Sequence, residues 1–314
     1  MRRKVIKQGH NTLTVTIPTN WAQKNSISAG DDVFIEELDS SLSITKAESQ
    51  KVLKEATVNI DGFNYFVLSR HLAHLYRTDY SKITILYSND EIYSDKLGKY
   101  IGTKDTIIRI IKRFVGAEII SQTSNKIEIE CLIPQTESDD ELDKIERRIY
   151  YILKETLNEL TSAMGKNFSS FSDAVYDYHD NVTKFINYYL RELYLSKKSE
   201  YEKKTGYAFY LLMETLIDQI RHLCESIDEN GSTEKLRVYV KDIFSIFLDE
   251  YNMIITGKND LPELMQNRYK LKARMKSEKF TVKEFKTISE ILFYLETFNI
   301  SSEYLFVRAL GKKE

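Results

Sequence analysis

The first 46 residues constrain the chain most, because they carry strand signals but few apolar side chains. Leu13, Val15 and Ile17 alternate with threonines, which is the period of a strand with one buried face. Pro18 ends that run, because proline has no N–H for a strand ladder. A unit of about 46 residues lies near the size at which folding alone is marginal. We therefore expect this unit to pair with a second copy.

The same stretch predicts two strands, a helical turn and two further strands. The helical turn follows Pro18 and includes residues 21–23. A turn at residues 28–32 leads into a second alternating run at 33–36, and a tight connection at 39–41 leads to the last strand. These short elements leave too little apolar surface for one copy of the unit to form a core by itself.

Charge is unevenly distributed along this unit. The basic residues come first and are Arg2, Arg3, Lys4, Lys7 and Lys24, whereas the acids come later and are Asp31, Asp32, Glu36, Glu37 and Asp39. A local cationic patch suits duplex DNA, because lysine and arginine neutralise phosphates in a salt-dependent way, and dimerisation doubles the patch. The alternative is a solvated run of charges on an ordinary hairpin.

The opening unit resembles the swapped-hairpin DNA-binding domain of the AbrB/MazE/SpoVT family. The resemblance rests on Gly9, the run 12–18, Trp21, Ala22 and the turn 30–33, and it covers about a seventh of the chain. It implies an intertwined homodimer that sets the basic residues of the first hairpin against the DNA backbone. The predicted DNA-binding residues are Arg2, Arg3, Lys4, Lys7, Asn11, Thr12, Thr14 and Lys24.

Composition limits the remaining possibilities. The net charge of −2 means that any DNA contact comes from a local patch. Cys131 and Cys224 lie far apart without a partner motif, so we expect small buried hydrophobes in a reducing compartment. No apolar run approaches membrane length and no hydrophobic signal core follows the N-terminus, which predicts a cytoplasmic protein. Three prolines in 314 residues favour long helices.

Residues 52–134 mix strand and helix periods and are separated from the first unit by a polar junction at 47–51. The predicted order is strand 52–60, helix 63–77, strand 83–87, helix 106–115 and two strands at 118–120 and 127–132. Gly116 stands where the second helix needs a left-handed C-cap. Residues 98–102 lack the spacing of a phosphate loop and are interpreted as a loop. This order predicts a small α/β middle module.

A polar, acidic linker then leads into a helical part that we expect to run from 139 to 314. The sequence from Ser138 to Glu141 has the form of a capping box, as does the sequence from Thr281 to Glu284. Three apolar stripes run Leu142–Met164, Val175–Leu193 and Tyr210–Ile227. After a break near residue 231 three more helices are predicted, at about 234–257, 260–279 and 282–312. The architecture therefore predicts an internal duplication, with halves at about 139–230 and 234–312.

The helical part is similar to PhoU-type phosphate-uptake regulators, which are duplicated three-helix bundles. The best local match is residues 211–225, which resemble a third-helix signature with Glu and Asp four residues apart. Together the two resemblances imply a multidomain, mainly helical protein that looks like the archaeal-type fusion of an AbrB-like unit to a PhoU-like bundle. Such proteins are taken to regulate phosphate uptake genes.

In the PhoU family such carboxylates hold multinuclear iron or zinc clusters. Residues four apart are neighbours on one helix face, which explains the spacing. The candidate ligands here are Glu214, Asp218, Asp177 and Asp180. Thr183 replaces an expected acid, and Ile291 and Leu295 replace the pair in the second half, so that site is lost. The alternative is an acidic, solvated helix face.

The leading hypothesis is a homodimeric, non-enzymatic transcriptional regulator whose bundle is a sensor or partner-docking unit. The alternative is a PhoU-type adaptor that does not bind DNA and instead contacts a phosphate transporter or its sensor kinase. A metallohydrolase is the weakest hypothesis, because the ligand set is incomplete and no general base is evident. His71 and His74 lack a third ligand and are interpreted as packing or surface residues.

Overall fold

The computed structural model describes residues 2–38, 41–46, 53–132, 139–164, 168–231, 233–258, 261–282, 284–286 and 288–289. The chain divides into two compact units, one up to Leu53 and one from Lys54 onward. The polar junction predicted at 47–51 lies outside the described residues.

The first unit has the predicted order of elements. They are β1 (Ile6–Gln8), β2 (Thr12–Thr14), α1 (Thr19–Lys24), β3 (Val33–Leu38) and β4 (Ser41–Lys46). β1 and β2 form one antiparallel hairpin, and β3 and β4 form another. The strand predicted through Ile17 is shorter than expected, because β1 supplies pairing partners only as far as Thr14.

The described residues of this unit form no hydrophobic core within a single chain. None of its described residues is both apolar and buried. Its large apolar side chains are exposed, for example Leu13 at 71% and Phe34 at 64% of their surface. Val5, Ile6, Val15, Ile35 and Leu42 are exposed as well. Several large exposed apolar side chains within one small unit indicate a surface that a partner covers.

The second unit begins with the α/β module. Its elements are β5 (Lys54–Asn59), α2 (Tyr65–Arg77), β6 (Tyr80–Leu86), β7 (Glu91–Ser94), β8 (Lys99–Gly102), α3 (Thr103–Ile111), β9 (Ala117–Gln122) and β10 (Lys126–Cys131). The main sheet has the order β5-β6-β10-β9, with β5 parallel to β6 and the other pairs antiparallel. The hydrophobic interior of the module includes Leu68, Leu72, Ile83, Ile85 and Ile127.

Two predictions for this module were wrong. Residues 98–102 are not a loop, because β7 and β8 pair as a hairpin from Glu91↔Gly102 to Ser94↔Lys99. These strands are only four residues long and carry few β-branched residues, so their periodic signal is weak. Gly116 is not the cap of α3, because that helix ends at Ile111 and Lys112 occupies its C-cap. Gly116 has a φ of 66° and forms the turn into β9 instead.

The helical part contains α4 (Asp139–Ala163), α5 (Ser169–Leu195), α6 (Glu200–Asn230), α7 (Glu234–Thr256) and α8 (Leu261–Ser277). α4 packs against α5 and α7, α5 packs against α6, and α7 packs against α8. All the predicted stripe residues are buried except Phe185, which is partly buried. These helices share one core that also takes in Ile288.

Helix boundaries follow local chemistry. The Glu284 carboxylate accepts from the Thr281 N–H at 2.8 Å, and the Thr281 hydroxyl accepts from the Glu284 N–H at 3.3 Å, as the predicted capping box requires. A further capping box, which sequence reasoning missed, joins Ser199 and Glu202 at the start of α6. Gly257, with a φ of 66°, ends α7 in the left-handed conformation.

Some predictions fall outside the described part of the chain. They include Ser138 and most of the last predicted helix, at 282–312. The internal duplication therefore stays a prediction. Among the described helices none is both long and apolar enough to cross a lipid bilayer.

Candidate functional sites

The first hairpin carries most of the predicted DNA-binding residues. Arg2, Arg3 and Lys4 precede β1, Lys7 lies within it, and Asn11 belongs to the turn that joins the strands. Gly9 allows this turn because its φ is 77°. Thr12 and Thr14 lie in β2, and Lys24 is in the last turn of α1. All of these side chains are exposed, so the basic patch is open to a partner.

Pairing register divides the predicted residues between the two faces of the hairpin. Lys7 lies opposite Leu13, so these two side chains share one face. Thr12 and Thr14 lie opposite Gln8 and Ile6 and share the other face. The Thr14 hydroxyl donates to the Gln8 Oε1 at 3.0 Å, which orders that face. The structure therefore does not bring Lys7 and the two threonines together on one face.

A family comparison agrees with this description of the first unit. Residues 6–50 match the family model described as "Antidote-toxin recognition MazE, bacterial antitoxin". This MazE-like domain indicates a DNA-binding regulator or an antitoxin-like fold. The chain matches no curated protein and no solved structure. The similarity covers the first unit alone, and the PhoU-like bundle is supported by no family match.

The acidic side chains of α5 and α6 form a second candidate site, on the side that meets the α/β module. Glu214 is the best enclosed of the four predicted metal ligands, with 15% of its side chain exposed. Its Oε2 accepts from Arg70 Nη1 at 3.2 Å and from Arg77 Nη2 at 3.0 Å. Arg77 is itself buried and donates through Nε to the Asn187 amide oxygen at 2.8 Å. Both arginines come from α2, so Glu214 joins the module to the bundle.

Asp180 and Asp218 are also matched by cations. Arg113 donates to Asp180 at 2.8 Å, and Arg221 donates to Asp218 through Nη2 at 2.7 Å. Burial raises the pKa of Asp180, but hydrogen bonding to His179 and the charge of Arg113 bring it below its ordinary value. Burial likewise raises the pKa of Asp218, and Arg221 outweighs that effect and lowers it. Both carboxylates are therefore held in their charged form.

Glu225 is a further acidic side chain of this second site, although sequence reasoning missed it. We call Glu214, Asp218, Asp180 and Glu225 the carboxylate strip. Its Oε1 accepts from Tyr176 and Arg221 at 2.6 Å each, and from Lys96 Nζ at 3.0 Å. Burial opposes ionisation of Glu225, but the hydrogen bonds from Tyr176 and Lys96 and the charge of Arg221 lower its pKa to about 2. Lys96 lies in the β7–β8 turn, so this contact too joins the module to the bundle.

A resident metal cluster does not fit these contacts well. Arginines already neutralise Glu214, Asp218 and Asp180, and a metal ion would have to displace them. Asp177, the fourth predicted ligand, is exposed. Within the described ranges no group of three or more His, Cys, Asp or Glu side chains is arranged to hold a metal ion. Iron or zinc binding stays a prediction that these contacts do not favour.

A deeply buried ion pair also joins the module to the bundle. Arg191 of α5 donates to Asp79 Oδ1 at 2.6 Å and to the Tyr76 carbonyl at 2.7 Å. Its guanidinium also lies over the Tyr76 ring, 5.0 Å from the centroid. Asp79 has a φ of 66°, so the turn after α2 is shaped to present this carboxylate. Together these contacts fix the module on the bundle.

The remaining predicted residues have structural roles. His71 is partly buried against the Phe63 ring at 5.8 Å between centroids, and His74 is exposed. Cys131 and Cys224 are both free and buried, as expected. Burial raises the pKa of the Cys224 thiol to about 12, so it is held in the unreactive protonated form.

Proposed function

We propose that the chain is a homodimeric, non-enzymatic transcriptional regulator that binds duplex DNA through its first unit. The observation that carries the proposal is the MazE-like match over residues 6–50. The predicted DNA-binding side chains within this segment are all exposed. Arg2, Arg3 and Lys4 lie immediately before the matched segment and extend its basic character. Lysine and arginine contacts to phosphates supply affinity, whereas base contacts supply sequence preference.

Dimerisation is supported by the missing core of the first unit. Leu13, Phe34 and Leu42 each expose more than half of their surface in one chain. Fully burying one such side chain contributes about 1.5–3 kcal/mol, so a second copy gains much by covering them. An interlaced pair of hairpins buries these residues and doubles the basic patch, which strengthens attraction to phosphates.

We further propose that the bundle is the sensor or docking unit, and that the regulated process is phosphate uptake. The support is the resemblance of residues 211–225 to the PhoU signature, with Glu214 and Asp218 one helical turn apart on α6. The stripes that this resemblance requires are buried in one core. The relevant partners are therefore DNA, a second copy and a phosphate transporter or signalling protein.

The second candidate function is an adaptor whose first unit only dimerises. It is favoured by the register of the first hairpin, which sets Lys7 on one face and Thr12 and Thr14 on the other. In this case the module–bundle unit contacts a transporter or its sensor kinase and DNA is not bound.

A gel-shift titration of the full chain against DNA from its own upstream region separates these functions. The regulator hypothesis expects a discrete complex that weakens as salt rises, because phosphate contacts release counterions. A random duplex of equal length serves as the control for sequence preference. Absence of any complex at low salt would favour the adaptor.

A further inference from the structure

The α/β module contains a cavity that neither the DNA-binding surface nor the carboxylate strip uses. It lies where the parallel strands β5 and β6 end, between the loop into α2 and the β7–β8 hairpin. Its volume is about 260 Å³. Crevices outside the carboxyl ends of parallel strands are common ligand sites in α/β folds. The cavity lies entirely within the second unit.

Aromatic rings make up much of the wall. Phe63, Tyr87, Tyr93 and Tyr100 all line the cavity. Tyr93 and Tyr100 are cross-strand neighbours in the β7–β8 hairpin, with ring centroids 5.4 Å apart and an interplanar angle of 68°. Of these residues Tyr87 is buried, whereas Tyr100 is 64% exposed. Ring faces carry negative electrostatic potential, so walls of this kind attract cations.

Formal charge in the cavity is negative. Asp61 accepts from the Ser88 N–H and hydroxyl at 2.8 Å each, and these bonds lower its pKa and keep it ionised. Glu91 also lines the cavity, and its carboxylate makes no hydrogen bond or ion pair with the described residues. No lysine, arginine or histidine is among the described residues that line this cavity. An anion is therefore disfavoured here.

The free N–H groups in the first turn of α2 could attract an anion, but they do not outweigh the carboxylates. Asn64, which caps the helix, accepts from the Val67 N–H at 2.9 Å and so satisfies one of its free donors. Two carboxylates remain against no cationic side chain in the described lining. The volume lies just below the range of about 300–1,000 Å³ for drug-sized ligands, which limits the occupant to a small molecule.

We propose that this cavity binds a small organic cation with an alkylated ammonium head, held by the tyrosine rings and by Glu91. Alkyl groups on the head pack against the aromatic walls, and the charge is balanced by the carboxylate at the rim. Such a site is independent of DNA binding, because it depends only on residues of the α/β module.

Isothermal titration of the full chain with choline tests the proposal. The matched neutral probe is 3,3-dimethylbutan-1-ol, which has the same shape without the charge. We expect choline to bind and the alcohol to bind at least about tenfold more weakly, because the ring and carboxylate interactions require a cation. Equal binding of the two probes, or no choline binding up to about 50 mM, would overturn the proposal.

Two variants assign the binding to this cavity. Tyr100→Ala and Glu91→Gln are each expected to weaken choline binding about tenfold, since each removes one of the attractive groups. Both residues are exposed, so the fold tolerates the changes. Tyr151→Ala, at an exposed tyrosine of α4, and Glu55→Gln, at an exposed glutamate of β5, are matched controls that leave binding unchanged. Choline affinity that is the same in all four variants would contradict the assignment.

Discussion

The two units of the chain bury their apolar residues in opposite ways. In the second unit the helical stripes and the inward-facing sheet residues, such as Ile83, Ile85 and Ile127, are enclosed within one chain. In the first unit the alternating residues are in place, but Leu13, Phe34 and Ile35 remain exposed. Both units have a clear strand or helix period, so the period alone does not tell whether the buried partner lies in the same chain.

This difference indicates how each unit contributes to function. The second unit has the packed interior of an independent domain, with Arg191 and Arg77 joining its two parts. The first unit depends on a surface outside itself, which we propose to be a second copy. Under this proposal, association and DNA contact are both assigned to the smaller unit.

Leu13→Asp is expected to have the largest effect. Covering Leu13 with a second copy contributes about 1.5–3 kcal/mol per subunit, so the dimer loses about 3–6 kcal/mol. The dissociation constant of the dimer, measured by dilution in a fluorescence assay, rises by at least about a hundredfold. The matched control is Leu97→Asp, at another exposed leucine in the second unit, which leaves dimerisation unchanged. If Leu13→Asp and Leu97→Asp raised the dissociation constant to a similar degree, dimerisation would not depend specifically on the first unit.

Arg191→Met tests whether a buried ion pair within one chain stabilises the second unit. It leaves the buried Asp79 carboxylate without the guanidinium 2.6 Å away, and breaking a buried pair of this kind costs about 3–5 kcal/mol. The free energy of unfolding from urea denaturation measures the loss. Combining Arg191→Met with Asp79→Asn also removes the buried carboxylate charge and should restore part of the stability. A single variant as stable as the wild type would show that the ion pair does not secure the module.

Arg2→Ala combined with Lys4→Ala tests the cationic surface of the first unit. We expect DNA affinity to fall about 10- to 100-fold for all sequences, because these side chains neutralise phosphates. The slope of log affinity against log salt should flatten by about 0.9 for each phosphate that is no longer neutralised. Lys99→Ala combined with Lys104→Ala, at exposed lysines of the second unit, is the control. Unchanged affinity and slope in the first variant would exclude this segment as the DNA-binding surface.

Acid should weaken the contact between Lys96 and Glu225. The pKa of Glu225 is lowered from 4.5 to about 2, so its contribution to stability is full above pH 4.5 and is lost as the pH falls towards 2. The melting temperature of the wild type should exceed that of Glu225→Gln by a small margin at pH 6. That margin should shrink between pH 4.5 and 2. A difference in melting temperature that does not change with pH would contradict a stabilising role for the charged Glu225 carboxylate.

Local patterns in the sequence predict most of the elements. The three helical stripes are buried as expected, because a 3.6-residue period determines which face of a helix meets the core. The threonine run before Pro18 and the turn at Gly30 predict the elements of the first unit, which the MazE-like match supports. The β7–β8 hairpin escaped prediction because its short strands have little periodic signal.

The contacts between elements could not be predicted in the same way. Arg77 and Glu214 meet across 137 residues of sequence, and no local spacing relates them. The spacing of Glu214 and Asp218 is compatible with metal ligands and equally with partners for arginine. The packing of α2 on the bundle decides the role of Glu214, because it brings Arg70 and Arg77 to that carboxylate. Asp218 pairs instead with Arg221 of its own helix.

Sedimentation equilibrium of the full chain tests most directly whether the first unit completes its core with a second copy. Our account predicts a species of twice the 36.8 kDa mass of one chain at low micromolar concentration, and DNA binding by that species. A mass of 36.8 kDa at every concentration, together with DNA binding by that single chain, would contradict it.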